Sequence, residues 1–199
     1  DLTTAEKIMN SSNIVFRYGA KYFFNRTAEL SVPVYIISGG ISDVLYNTVH
    51  SISKDKKLDN IYTYANRLKW ANDYIVGFEE MTVHSYNKFR VIPELVKERK
   101  NCLLMGDLVT DIYMTLRSKY NTQISIFYAK EDEVEQRQAA ARKYDVIIEN
   151  DESLRFAILI LNYLSNAEID MDYVKGCHEK LASVVNYEKR EEADARSRQ

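Results

Sequence analysis

The apolar positions change period repeatedly along the chain, and each change marks a helix giving way to a strand or the reverse. Ile8, Val15, Phe16, Tyr22 and Phe23 recur at roughly helical spacing and predict an amphipathic helix with a break near Gly19. Pro33 opens a continuous apolar run, the pattern of a parallel-sheet strand covered on both faces. Val44, Leu45, Val49 and Ile52 then fall at helical offsets, so Ser42–Ile52 reads as a helix and Ser38-Gly39-Gly40 as the strand-to-helix loop before it. Further strands are predicted at 61–64, 81–86, 102–105, 124–128 and 146–148. Helices are predicted at 94–99, 110–118, 131–142 and 153–164, the last capped by Asp151 or Ser153.

Strands alternating with helices of this length argue for crossover units: an α/β fold with a Rossmann-like open parallel sheet and helices on both faces. Ligands of such sheets sit beyond the carboxyl ends of the strands, which is where Ser38, Asn66, Lys88 and Asp107 fall. Ser165-Asn166 reads as a boundary, dividing a core over 1–164 from an extension over 165–199 that comprises a helix at 171–185 and a charged tail.

Composition narrows the classes. With 199 residues, 46% hydrophobic and 28% charged, the chain can bury one sizeable core, and no window has the apolar length of a membrane span. A net charge of −2 leaves no electrostatic footprint for nucleic acid. Cys102 and Cys177 are the only cysteines, which argues against a disulfide framework and for a reducing, intracellular compartment. His50, His84 and His178 lack ligand spacing, and neither cysteine has the setting of a nucleophile, so zinc and thiol chemistry are not expected. The 15 tyrosines are spread along the chain, as packing residues are. The chain opens at Asp1 without an initiator methionine, which predicts a longer or processed natural polypeptide.

The candidate chemistry lies at the strand ends. Ser38 with the amides of Gly39 and Gly40 can hold a phosphoryl oxygen, although a serine before a helix is also an ordinary N-cap. Lys88 can neutralise phosphate charge as a point cation, or simply be solvated. Asp107 and Asp111 stand at i and i+4, so in a helix their carboxylates share one face. Such a pair suits Mg2+, or equally a helix N-terminus.

In this order the motifs resemble a known family. The stretch from Val32 through Ser38-Gly39-Gly40 to Leu45 resembles the second motif of the cytosolic pyrimidine 5′-nucleotidases, within the haloacid dehalogenase superfamily. Val83-His84-Ser85-Tyr86-Asn87-Lys88 is similar to the segment ending in the family's lysine, and Met105-Gly106-Asp107-Leu108-Val109-Thr110-Asp111 to its metal motif. Residues 144–154 resemble its closing strand and helix, so the likeness runs from about 5 to 164.

The resemblance implies Mg2+-dependent hydrolysis of nucleoside 5′-monophosphates through an aspartyl-phosphate, in the cytoplasm. Ser38 would bind the phosphoryl group with Gly39 and Gly40, Lys88 would offset its charge, and Asp107 with Asp111 would hold the metal. The departures are equally specific. The family's first motif, with its nucleophilic aspartate, and most of its cap have no counterpart here; Asp1-Leu2-Thr3-Thr4 is a superficial echo. Leu108 stands where the family commonly has serine, and Ser38-Gly39-Gly40 replaces serine-alanine-glycine. Two readings follow: a nucleotidase acting on a nucleoside monophosphate, or an inactive relative serving as an interaction subunit. The second expects a partner protein that covers the missing-strand edge or docks on 165–199.

Overall fold

In the computed structural model of the chain, the residues described are 15–52, 58–79, 82–91, 99–115, 120–130, 132–150 and 153–165. They fall in two compact units, one up to Ile92 and one from Pro93. The predicted helix at 94–99, save its last residue, the predicted helix at 171–185, the charged tail, Ile8, Met81, Asp151 and Cys177 lie outside the described residues.

In the first unit, α1 (Ala20–Glu29) starts after Gly19, whose φ of 83° is left-handed and marks the predicted break. Val15 and Phe16, expected in the helix, precede it and are exposed. α1 is tied to the sheet through polar groups. Asn60 Nδ2 donates to Thr27 Oγ1 at 3.2 Å and to the Val32 carbonyl at 2.8 Å. β1 (Val34–Ile41) and β2 (Ile61–Asn66) form a parallel ladder, joined through α2 (Ser42–Ile52), which packs against both. β1 is half-buried rather than fully covered.

The first unit also holds an element that periodicity did not predict. β3 (Leu68–Ala71) and β4 (Tyr74–Phe78) form an antiparallel hairpin, so the parallel strands do not account for the whole sheet content. Its turn, Asn72-Asp73, has φ of 49° and 62°, the left-handed geometry that twists a two-residue hairpin correctly. The predicted strand at 81–86 is absent over residues 82–86, where an irregular segment leads into a turn closed by the Asn87 N–H donating to the His84 carbonyl at 3.0 Å. The cause is the competition of side-chain amides for its backbone: Asn66 and Asn87 take the groups a ladder would use.

The second unit is a parallel sheet in the order β5-β6-β7: β5 (Asn101–Gly106), β6 (Thr122–Ala129) and β7 (Val146–Glu149). Its core gathers Leu104, Phe127, Ala129, Ala140, Tyr144 and Ile147, with Ile112 and Met114 packed against it. Phe127 is fully buried, worth roughly 1.5–3 kcal/mol of transfer free energy. The charged helix is shorter than expected, α3 (Val134–Ala140), and Arg137 pairs with Glu149 at 3.1 Å. The predicted helix at 110–118 is instead a 3-10 segment over Val109–Thr115. At the start of β7, Asp145 Oδ2 accepts from both the N–H and the hydroxyl of Ser125 at 2.7 Å, and the Asp145 N–H donates back to the Ser125 carbonyl at 3.1 Å. Ile147 and Ile148 point to opposite faces of β7, and both are buried. α4 (Arg155–Leu164) closes the unit, with Ser153 Oγ accepting from the Arg155 N–H at 3.3 Å.

Candidate phosphate-binding and metal-binding groups

Ser38-Gly39-Gly40 is not a loop between elements; it lies inside β1. The ladder pairs Ile37 with Tyr64 and Ile41 with Asn66, so three residues of β1 stand opposite Ala65 alone. The surplus bulges the strand and leaves Gly39 and Gly40 exposed. Ser38 does not cap α2, which begins at Ser42. Its Oγ accepts from the Gly40 N–H at 3.0 Å, which leaves its own O–H to donate outward.

The bulge rests on the turn that leads to Lys88. A Cβ placed on Gly39 would stand 3.4 Å from the Val83 carbonyl oxygen and 3.9 Å from the His84 Cα. Between them sits Asn66, 8% exposed. Its Nδ2 donates to the carbonyls of Gly39 at 2.8 Å and Val83 at 3.0 Å, and its Oδ1 accepts from the Val83 N–H at 2.6 Å. Asn87, also buried, donates to the Thr82 carbonyl and accepts from the His84 N–H, both at 2.7 Å. Lys88 follows at once, half-buried, opening the short 3-10 turn Lys88–Arg90. Sequence reasoning placed Asn66 at a strand end without giving it a task; the signal is a polar residue terminating an apolar strand. Asn66 and Val83 also line a cavity of about 470 Å3, bordered by Asp43, Tyr46, Arg67 and Glu79, and neither Ser38 nor Lys88 lines it.

In the second unit the two acids do not share an exposed face, as helical spacing had predicted. Asp107 is exposed at the end of β5, whereas Asp111 is 2% exposed. The reason is the tighter turn: the Asp111 N–H donates to the Leu108 carbonyl at 2.9 Å, a 3-10 pattern. Asp111 Oδ2 then accepts from the N–H groups of Asp107 and Leu108, each at 3.3 Å. Gly106 makes this possible, because a Cβ there would lie 2.5 Å from the Asp111 Cβ and 2.8 Å from its Oδ2. That requirement of a bare backbone beside the second acid is invisible to spacing arguments. Among the described residues no three His, Cys, Asp or Glu side chains cluster as a metal site. Two carboxylates at one loop still suit Mg2+, a hard cation that completes its shell with water and phosphate oxygens.

Burial pushes the Cys102 thiol up to about 11, against a smaller lowering by a hydrogen bond to Tyr120. A thiol held protonated is a poor nucleophile. Tyr144 donates to the Leu108 carbonyl at 3.0 Å. Its hydroxyl is pushed well above the ordinary 10.0, by burial first and by the Asp111 charge second, with a smaller contribution from Asp107. A raised folded-state value means that stability is complete below the ordinary value and lost as pH rises through the folded one. Denaturant unfolding of the wild type should therefore weaken more steeply above pH 10 than that of Tyr144→Phe. At neutral pH the variant should cost about 0.5–1.5 kcal/mol for the lost hydrogen bond. Parallel slopes for the two proteins would contradict the assignment.

Comparison with known proteins places these groups in a family setting. Residues 2–165 match the family model described as "Pyrimidine 5′-nucleotidase (UMPH-1)". The 7-methylguanosine phosphate-specific 5′-nucleotidase of Homo sapiens is 27% identical over 157 residues, 74% of this chain and 51% of that protein. Form A of the Xenopus laevis enzyme of that name is 26% identical over 170 residues, 80% of this chain and 57% of that one. Among solved structures, cytosolic 5′-nucleotidase IIIB bound to cytidine superposes with a TM-score of 0.69 at 18% identity, over 83% of this chain and 58% of that one. The chain thus spans about half the length of the curated relatives it matches. No helix among the described residues is long and apolar enough to cross a membrane.

Proposed function

The chain belongs to the pyrimidine 5′-nucleotidase (UMPH-1) family, and on that premise we propose that it takes part in Mg2+-dependent hydrolysis of nucleoside 5′-monophosphates. The observation that carries this reading is the β1 bulge packed against the turn before Lys88, a hydroxyl and an exposed glycine backbone braced beside a cation-bearing segment. The Ser38 hydroxyl, oriented by the Gly40 N–H, donates to a phosphoryl oxygen; the exposed backbone of Gly39 and Gly40 lets that oxygen approach. Lys88 offsets the phosphoryl charge. Asp107 would hold the metal with Asp111, which also shapes the loop through the amides of Asp107 and Leu108. Mg2+ held there would supply Lewis-acid chemistry to phosphate-monoester hydrolysis. The family name points to pyrimidine nucleotides and the human relative's name to 7-methylguanosine phosphate; the chemistry common to both is the 5′-phosphate monoester.

The test is orthophosphate release from CMP, UMP and 7-methylguanosine monophosphate by the natural full-length polypeptide, with and without Mg2+. Release should require Mg2+, and Ser38→Ala should lower kcat/KM by about 10- to 100-fold, the worth of one hydrogen bond to a charged group. No release would leave the interaction subunit as the better account, whereas release undiminished in Ser38→Ala would remove Ser38 from the phosphate-binding groups while leaving the hydrolysis in place.

A further inference from the structure

We infer that Asn66 is a positioning residue that couples the phosphate-holding bulge to the turn carrying Lys88; this role rests on the phosphate reading above. One buried carboxamide satisfies three backbone groups on two segments: the Gly39 carbonyl on the bulge, and the N–H and carbonyl of Val83 on the turn. The bulge has no ladder partner of its own over residues 38–40, since Ala65 alone stands opposite them. The turn over 82–86 is not a strand. Neither segment is held by repeating secondary structure, and Asn66 supplies the bonds that a ladder would otherwise give.

The coupling continues toward the cation. Asn87 closes the same turn on its far side, bonding Thr82 and His84 on either side of Val83, and Lys88 is the next residue. The path from Gly39 to Lys88 therefore passes through two buried carboxamides and a single four-residue turn. Asparagine is required by the donor and acceptor pattern. Aspartate matches its shape and can still accept from the Val83 N–H, but it would set a carboxylate oxygen against the Gly39 and Val83 carbonyls. Alanine would leave all three backbone groups unpaired beneath the bulge.

The experiment measures inhibition of the full-length protein by inorganic phosphate, because an inhibition constant is independent of the fraction of molecules folded. Asn66→Ala and Asn66→Asp should each raise it tenfold or more, as Ser38→Ala and Lys88→Ala do. Combined with Ser38→Ala, Asn66→Ala should add far less than its single effect, since the two act on one bulge. An unchanged constant in Asn66→Ala and Asn66→Asp, with Ser38→Ala and Lys88→Ala weakened, overturns the positioning role alone. If neither Ser38→Ala nor Lys88→Ala changes it, the phosphate reading falls and the positioning role with it. A second measurement needs no variant: in 15N-labelled wild type, phosphate should shift the Asn66 side-chain amide resonances together with those of Gly39 and Gly40. A shift confined to the glycines would overturn the coupling.

Discussion

Asp107→Asn lowers turnover of a nucleoside 5′-monophosphate by about 10²–10³-fold or more, while the protein stays folded. Both halves of this expectation come from the position of the side chain. Asp107 directly follows β5 and is exposed, so its carboxylate carries little of the packing that holds the second unit together. Asparagine keeps the shape and removes the charge, which is what a hard cation needs from this residue. The Mg2+ concentration for half-maximal activity should rise in the same variant, and thermal unfolding measured beside the kinetics should be nearly unchanged. An intact kcat with unaltered Mg2+ dependence would remove Asp107 from the metal assignment.

Gly106→Ala is the second large effect, and it acts on stability and activity together. The new methyl would stand 2.5 Å from the Asp111 Cβ, a separation that demands movement. Asp111 has little room to yield, being 2% exposed and bonded to the amides of Asp107 and Leu108. Overpacking of this kind costs about 1–3 kcal/mol, enough to lower the midpoint of thermal unfolding by several degrees. Displacing the Asp111 carboxylate also releases the loop that presents Asp107, so turnover should fall with it. A double variant decides the cause. Asp111→Gly removes the atom that is struck, so Gly106→Ala should cost much less in that background than in the wild type; equal costs would place the strain elsewhere.

The parts of the fold that rest on apolar periodicity were legible in the sequence, and the parts that rest on side-chain amides were not. α2 coincides with the predicted Ser42–Ile52, and the runs at 102–105, 124–128 and 146–148 lie inside β5, β6 and β7. These segments are apolar where they meet a core, so their period reports their structure. Residues 82–86 belong to a run that also reads as a strand, yet their hydrogen bonds go to Asn66 and Asn87. The hairpin went unseen because Asn72-Asp73 lacks glycine, although both residue types tolerate the left-handed turn they adopt. The same distinction runs through the candidate site. Ser38, Lys88, Asp107 and Asp111 could be picked out by residue type, motif order and family resemblance. Burial of Asp111 could not, because the i, i+4 argument presumes 3.6 residues per turn and the chain winds there as a 3-10 segment. The roles of Gly106 and Asn66 depend on contacts across 5 and 17 to 27 residues that no local pattern records.

The exchange between Ser125 and Asp145 bears on how β7 chooses its place. A strand whose two faces differ in polarity rejects a one-residue slip, since slipping turns its apolar side chains to the solvent. β7 has no such difference: Ile147 and Ile148 are buried on opposite faces, with Val146 before them, and a shifted strand would present nearly the same grease to the same neighbours. Oil cannot tell these alignments apart. The carboxylate can, because only one alignment sets it against both the amide and the hydroxyl of Ser125. In this strand the apolar residues supply adhesion and a single acid supplies address.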